Sequence, residues 1–388
     1  QRNGHTFSWN STLGLTMSDA NQHLFSTGAQ QWAQNSDETR IKVKNRVSLL
    51  TFVISKFRIT IAADQDLNYT RLSYGKTDNH VFSSLENELS ARFSIWRQTN
   101  RLQLVLNLPV GYKSFDYSPI GEANRKNASM FCFQPDAFMQ LKLSNKFSLD
   151  AVARVSRAYD APWKLAGITI HQDYRTTYLN ATGQVGEKSQ YLGMAALRYK
   201  DSFSLLFGSM EISALHENYS MSDNVSDLDN VTSIERVSHG GNNSSVQGTF
   251  SLTKGFYKYN SRITVSNLVN LSQGDFLVND MPFRSKVWSI QPAIDVSMSF
   301  AHFDYTASSQ WTYLSQSTNG AQANHLNYLH NKINATCHVE RFSLNAELNH
   351  YYHADSFSDR SFYFLKARME YNLKTVTLYV EGNNFLNQ

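Results

Sequence analysis

The chain has 388 residues, 41% of them apolar and 13% aromatic, and a net charge of +4. That balance is too small to mark a nucleic-acid binder, and no basic run stands out. No apolar run approaches the ~20 residues of a membrane helix, and the mean hydropathy is −0.42.

Cys132 and Cys337 lie far apart without metal-ligand spacing, so no disulfide framework is expected. No signal peptide is visible at Gln1, and the stretch reads as part of a longer protein.

Strict alternation of apolar and polar residues begins at once. Phe7, Trp9, Leu13, Leu15 and Met17 alternate with Thr6, Ser8, Asn10, Thr12 and Thr16, the period-2 signature of a strand. A long polar loop is expected to about Thr39. The next strand carries Ile41, Val43, Val47 and Leu49 against Arg40, Lys42, Lys44 and Arg46, and turns at Ser55, Lys56 and Phe57. The third carries Phe57, Ile59, Ile61, Leu67 and Tyr69 against Arg58, Thr60, Asp64, Asp66 and Asn68. Glu86 and Glu88 share the polar parity of the fourth strand, against Leu85, Leu89, Phe93 and Ile95. A fifth strand runs through Leu102, Leu104, Leu106, Leu108, Val110 and Tyr112.

The pattern continues through turns at Asn145–Phe147, Lys200–Asp201, Lys254–Phe256, Ala301–His302, Glu340–Phe342 and Leu373–Lys374. Its clearest hairpin is Val287–Tyr313. Trp288, Ile290, Pro292, Ile294, Val296, Met298 and Phe300 share one face, and Phe303, Tyr305, Ala307, Trp311 and Tyr313 resume it. The twelve steps from Trp288 to Phe300 span roughly 40 Å at ~3.3 Å per residue. Tilted by about 45°, they rise ~28 Å, close to the about 25 Å apolar band of a transmembrane barrel strand between two aromatic girdles. Pro292 removes a ladder donor mid-strand, so a bulge is expected there.

The whole chain then reads as all-β, an antiparallel transmembrane β-barrel wall of about 17 strands occupying residues 1–388. Short turns lie on one rim. Long connections, near 18–39, 72–81, 113–128, 158–189, 217–244, 268–286, 315–325 and 353–360, lie on the other. Phe57, Phe147, Phe203, Phe256, Phe303 and Phe342 are each expected to open a strand at the short-turn rim, forming an aromatic ring. The segment Ser220–Ser245, with Asn224, Asp227, Asp229, Asn230, Asn242 and Asn243, is expected to be a solvated loop able to hold a small ligand.

Chemistry-bearing constellations are few. The sequence has no GxSxG, HExxH or phosphate-loop motif, and no catalytic, cofactor-binding or metal residue is assigned. Asp64, Asp66, Glu86, Glu88 and Asp295 have lumen-facing parity and read as lumen lining. Arg40, Lys42, Lys44 and Arg46 form a basic stripe. It either neutralises acids on the next strand, such as Asp64 and Asp66, or attracts anionic solutes. The histidines from His325 to His353 are the best metal candidate, yet His330 and His350 fall on opposite faces in the expected register.

The residues Leu378, Tyr379, Val380, Glu381, Gly382, Asn383, Asn384, Phe385, Leu386 and Asn387 resemble the penultimate strand of TonB-dependent receptor barrels. Asp173–Arg175, followed by Glu187, Lys188, Ser189 and Gln190, resembles the Bacteroidetes branch of that family. The resemblance implies a 22-strand barrel in the outer membrane of a Gram-negative bacterium, with a plug domain, the first strands and the last strand outside this stretch. It implies energised uptake of a small ligand held by the long loops and plug, with TonB pulling on a plug-side segment. The partners so implied are outer-membrane lipid, TonB and an unidentified ligand. A wall lacking those strands has open edges, so this stretch is not expected to work alone. A passive porin-like barrel and a soluble β-rich surface or adhesion protein are the alternatives; the latter needs a second sheet over the apolar faces.

Overall fold

The computed structural model describes residues 8–25, 31–54, 56–74, 81–118, 125–159, 169–171, 176–179, 184–228, 231–321, 323–354, 360–373 and 375–384. They form a single sheet of 22 strands and one 3-10 turn at Lys258–Asn260. The first eight strands are β1 (Ser8–Phe25), β2 (Gln31–Ile54), β3 (Phe57–Tyr74), β4 (Val81–Gln98), β5 (Leu102–Ser118), β6 (Lys126–Phe133), β7 (Asp136–Lys142) and β8 (Phe147–Tyr159). Next come β9 (Thr169–His171), β10 (Thr176–Leu179), β11 (Glu187–Asp201), β12 (Leu206–Tyr219), β13 (Ser222–Leu228), β14 (Val231–Val237) and β15 (Gly241–Phe256). The last are β16 (Ser261–Val278), β17 (Met281–Ser299), β18 (Phe303–Thr318), β19 (Asn324–Val339), β20 (Phe342–Ala354), β21 (Arg360–Asn372) and β22 (Thr377–Asn383).

Most of these strands pair antiparallel with their chain neighbours in one continuous meander. β6 and β7 pair with β5 in a common register and act as one wall strand interrupted at Gln134–Pro135. Among the described residues β1 pairs only with β2 and β22 only with β21, so the sheet is open.

Alternation decides the faces. Apolar residues of successive strands are register partners, as in the row Ala214, Val246, Leu271, Trp288. They remain widely exposed mid-strand: Leu89 is 57% exposed, Ile212 51% and Leu271 51%. The described strands belong to one sheet, so among the described residues no second sheet covers this face. The aromatic ends are present. Phe147 packs on Tyr199 at 4.8 Å, and Tyr259 and Phe303 flank Phe300 at the short-turn rim. Trp288 and Trp311 contact Tyr313 at the far end.

Several expectations need correction. Pro292 makes no bulge: β17 keeps one register with β16 throughout, and the same register with β18 on both sides of it. Only the β18 ladder is interrupted, at Gln291–Pro292, because the residue lacks an N–H. The bulge lies instead in β2, between Ser48 and Leu50. Leu49 is therefore not the next apolar-face position after Val47; beyond the bulge Phe52 and Ile54 pair with Ile59 and Phe57.

The aromatic phase is also less uniform than expected. Phe57, Phe147, Phe303 and Phe342 open strands, but Phe256 closes β15, and Phe203 stands in a turn, 93% exposed. The long connections are mostly strand overhang. β16 and β17 continue to a two-residue turn, Asn279–Asp280, whose positive φ angles (50° and 62°) suit Asn and Asp. Ser220–Ser245 is not an irregular loop. β13 and β14 form a hairpin there that takes β10 alongside β14 and docks β13 on the end of β16. Asp229 and Asn230 of that segment, Ser55, Lys374, Asp173–Arg175 and residues 385–387 lie outside the described residues.

Candidate functional site

Ion pairs of the polar face are densest in two blocks. In the first, strands β2 to β5 lay successive cross-strand pairs side by side. Register sets Arg46 opposite Asp64 and Lys44 opposite Asp66, then Asp66 opposite Glu88 and Glu88 opposite Lys113. Arg46 Nε donates to Asp64 Oδ1 at 2.6 Å, and Arg92 Nε lies 2.9 Å from Asp64 Oδ2. Asp66 Oδ2 lies 3.1 Å from Lys44 Nζ and 3.8 Å from Lys42 Nζ. Lys113 Nζ sits 2.5 Å from Glu86 and 3.5 Å from Glu88. The basic stripe thus neutralises the acids of its neighbour, while Arg40 pairs with Glu38 at 2.6 Å. A cleft of about 290 Å³ opens between Asn10, Lys44, Arg46, Asp66, Glu88 and Arg92.

The second block spans β19 to β22. Lys332 pairs with Glu347 at 3.0 Å, Lys366 with Glu381 at 2.9 Å, and Arg368 with Glu370 at 2.5 Å. Charge continues between the blocks, where Arg198 pairs with Asp150 and Lys188 with Glu217 at 2.9 Å; one neutral row, Ser213, Gln247, Asn270 and Ser289, crosses β12, β15, β16 and β17. Asp295 belongs to this stretch, opposite Thr264 and Ser308.

Lys113 escapes a sequence reading because it follows a run of leucines. The available signal is its parity, opposite to Leu102–Tyr112.

The histidines do not converge. Register places His330 opposite Tyr351, and His350 opposite Asn331, so they occupy opposite faces. His330 stacks on Tyr351 with ring centroids 4.4 Å apart, and His350 stacks on Tyr363 at 4.4 Å. Among the described residues no three His, Cys, Asp or Glu side chains are grouped as metal ligands would be. Cys132 is buried, Cys337 half-buried, and both are free thiols.

Both rims are pinned by ion pairs. At the short-turn rim Lys146 Nζ donates to Asp201 Oδ2 at 2.7 Å, and the backbone N–H groups of Phe203 and Ser204 donate to Asp201 Oδ1. Lys146 holds the Asp201 carboxyl down at about 2. At the far rim Arg284 Nε donates to Asp275 at 2.8 Å and holds that carboxyl below its ordinary value. Tyr219 donates to the Asp275 backbone oxygen at 2.5 Å, and burial pushes its phenol up. The β13–β14 hairpin is fastened by Arg236 to Asp223 at 2.9 Å. Asn224 binds Asp280 twice, donating to its carboxylate at 2.7 Å and accepting from its N–H at 3.0 Å.

This arrangement suits a wall rather than a reaction centre. Most acids of the two blocks are engaged by cations, whereas Asp295 faces only Thr264 and Ser308 across the sheet.

No family model and no curated protein matches the sequence. Among solved structures, the copper transporter OprC superposes with a TM-score of 0.55 at 10% identity, over 89% of this chain and 57% of that one. The FrpB iron transporter from Neisseria meningitidis gives a TM-score of 0.37 at 8% identity, over 99% of this chain and 68% of that one. The open form of the ferric-catecholate import receptor Fiu from E. coli K12 gives 0.32 at 8% identity, over 99% and 77%. At these identities the likeness is one of fold, and it rests on OprC.

Proposed function

We propose that this chain is most of the wall of an outer-membrane transporter barrel, and that the transporter is of the TonB-dependent kind. The observation that carries the wall is the one-layer sheet, whose apolar face is exposed mid-strand and bounded by aromatic side chains at both ends. Exposed apolar surface of that extent is stable against lipid and not against water. The polar face then lines a lumen. The short turns lie at the periplasmic side and the overhanging hairpins outside.

The remaining strands and a plug complete the barrel from elsewhere in the protein. The edges left open at β1 and β22 among the described residues support this, because unpaired backbone groups are not tolerated in hydrocarbon. A small ligand enters from the hairpin side, where the β13–β14 unit stands over the mouth. OprC is named a copper transporter; the free thiols and separated histidines here give no reason to carry copper over to this chain. Energised uptake rests on the resemblance of the residues from Leu378 onward and on the OprC-like fold.

The test is in two parts. The full-length protein should fractionate with the outer membrane and shift its gel mobility on heating in detergent; a soluble protein without such a shift ends the wall reading. Uptake profiles of a strain lacking this protein and a strain lacking TonB should then lose the same compound. A compound still taken up without TonB marks a passive pore.

A further inference from the structure

On the apolar face, two adjacent rows near the hairpin-side girdle differ sharply. The lower row is Gly193, Ala214, Val246, Leu271 and Trp288; the upper row, two residues further along each strand, is Tyr191, His216, Ser244, Gln273 and Lys286. Two residues span roughly 7 Å of strand, so the face passes from apolar to polar within one step. A groove of 380 Å³ crosses that step, lined by Ser244, Gln273 and Lys286 above and Val246, Leu271 and Trp288 below. Gly248, opposite Val269, keeps the surface below it open: a Cβ there would meet nothing within 4 Å.

Charge singles out Lys286. Its neighbour two residues back, Arg284, is occupied by Asp275 at 2.8 Å. His216 Nδ1 and the Ser244 hydroxyl are hydrogen-bonded to each other at 2.8 Å. Lys286 is exposed and has no carboxylate partner among the described residues. A free ammonium directly above an indole, on a face that changes from apolar to polar at that level, matches an anion attached to an acyl chain.

Resting on the lipid-facing reading above, we infer that this groove is a binding site for a phosphorylated lipid of the hairpin-side leaflet. The phosphate sits on Lys286, with Gln273 and Ser244 as hydrogen-bonding neighbours. The chain lies along Val246, Leu271 and Trp288 toward Gly248. A soluble phosphate uses only the upper row, whereas a lipid uses both.

Trp288 is its own reporter. The intact protein is placed in vesicles containing brominated-chain phosphatidylglycerol or brominated-chain phosphatidylcholine, and the Trp288 signal is isolated by difference from Trp288→Phe. Phosphatidylglycerol should quench Trp288 at roughly fivefold lower mole fraction, the scale of one lysine at a charged interface. Lys286→Gln should remove that preference, and Gly248→Leu should weaken quenching by both lipids. Equal quenching by the two lipids in the native protein overturns the site while leaving the wall intact. Loss of the preference in millimolar inorganic phosphate overturns the lipid assignment in favour of a free anion. Absence of quenching by either lipid overturns the lipid-facing wall itself.

Discussion

Lys113 Nζ lies 2.5 Å from Glu86 Oε1 on the polar face, with one tenth of the lysine side chain exposed. Glu88 stands 3.5 Å away on the other side. Lys113→Met would leave two carboxylates on one strand without their shared cation. Breaking a fully buried pair costs about 3–5 kcal/mol; the glutamates here are about a quarter exposed, so water recovers part of that. A loss of about 2 kcal/mol is expected, read as a lower midpoint of heat-induced mobility change. Adding Glu86→Gln and Glu88→Gln should restore most of it, and a triple variant as unstable as Lys113→Met alone would refute the account.

The Lys146–Asp201 pair predicts a pH dependence with a definite sign. The Asp201 carboxyl is depressed from 3.8 to about 2 in the folded chain. Its contribution is therefore complete above the ordinary carboxylate value and lost as pH falls through that window. Because Asp201 also accepts from Phe203 and Ser204, those two amides report the loss. Their hydrogen-exchange protection should fall between about pH 4 and about pH 2, the interval between the ordinary and the folded value of Asp201. In Asp201→Asn it should be low and flat. Protection that is pH-independent in the native chain contradicts the assignment.

The wall was legible because lipid and lumen impose opposite demands on successive residues. Leu102–Tyr112 and Trp288–Phe300 show that demand directly, and the strand rhythm follows from it. Where the demand lapses, the sequence goes quiet while pairing continues. β13 and β14 scatter Val225, Ile234 and Val237 among polar residues without strict alternation, so nothing in Asn224 or Arg236 announces a strand, though both are buried. The β16–β17 overhang is silent for a different reason: Phe276, Leu277 and Val278 are consecutive apolar residues and show no alternation. Leu49–Ile54 hides its bulge because an almost unbroken apolar run has no phase. Phe203 and Phe256 were misplaced because the turns beside them, at 202–205 and 257–260, lie further along the chain than Asp201 and Gly255 suggested. Parity shows that the Arg40–Arg46 stripe and the acids Asp64 and Asp66 can share a face, but the pairs Arg46–Asp64 and Lys44–Asp66 follow from a register that the bulge in β2 sets.

His330 and His350 should behave independently toward metals. Asn331 donates to His350 Nδ1 at 3.0 Å, and His350 Nε2 bonds the Ser361 hydroxyl at 2.8 Å; His330 Nε2 bonds Asn349 Oδ1 at 3.3 Å. Each ring also lies against its own tyrosine. Titrating the protein with zinc or copper, the double His330→Ala/His350→Ala variant should equal the sum of the single effects within about 0.5 kcal/mol. A larger coupling would mean that one ion bridges them, which the register forbids.

The bulge in β2 makes the sharpest test of the strand phases. Ser48 pairs with Ala62, yet Leu50 pairs with Ile61, so one residue of β2 is extra. Deleting Leu49 removes that residue and leaves both flanks in phase: Val43 stays with Leu67, and Phe52 stays with Ile59. Folding into detergent or lipid should survive the deletion at near-native yield. Deleting Ser94 from β4, where pairing with β3 and β5 is continuous, instead turns one flank of the strand over. Either Phe93 and Leu89 or Ile95 and its successors would then face the lumen. That protein should fail to fold, by the absence of a heat-modifiable band. Pro292 supplies the converse case. It interrupts the β18 ladder without shifting register, so Pro292→Val should restore a donor and raise stability by about 1 kcal/mol. Cysteine pairs at Ile290 with Tyr313 and at Ile294 with Ser309 should cross-link equally in the proline and valine proteins. A cross-linking pattern displaced by one residue in the native protein would mean that Pro292 carries a bulge after all.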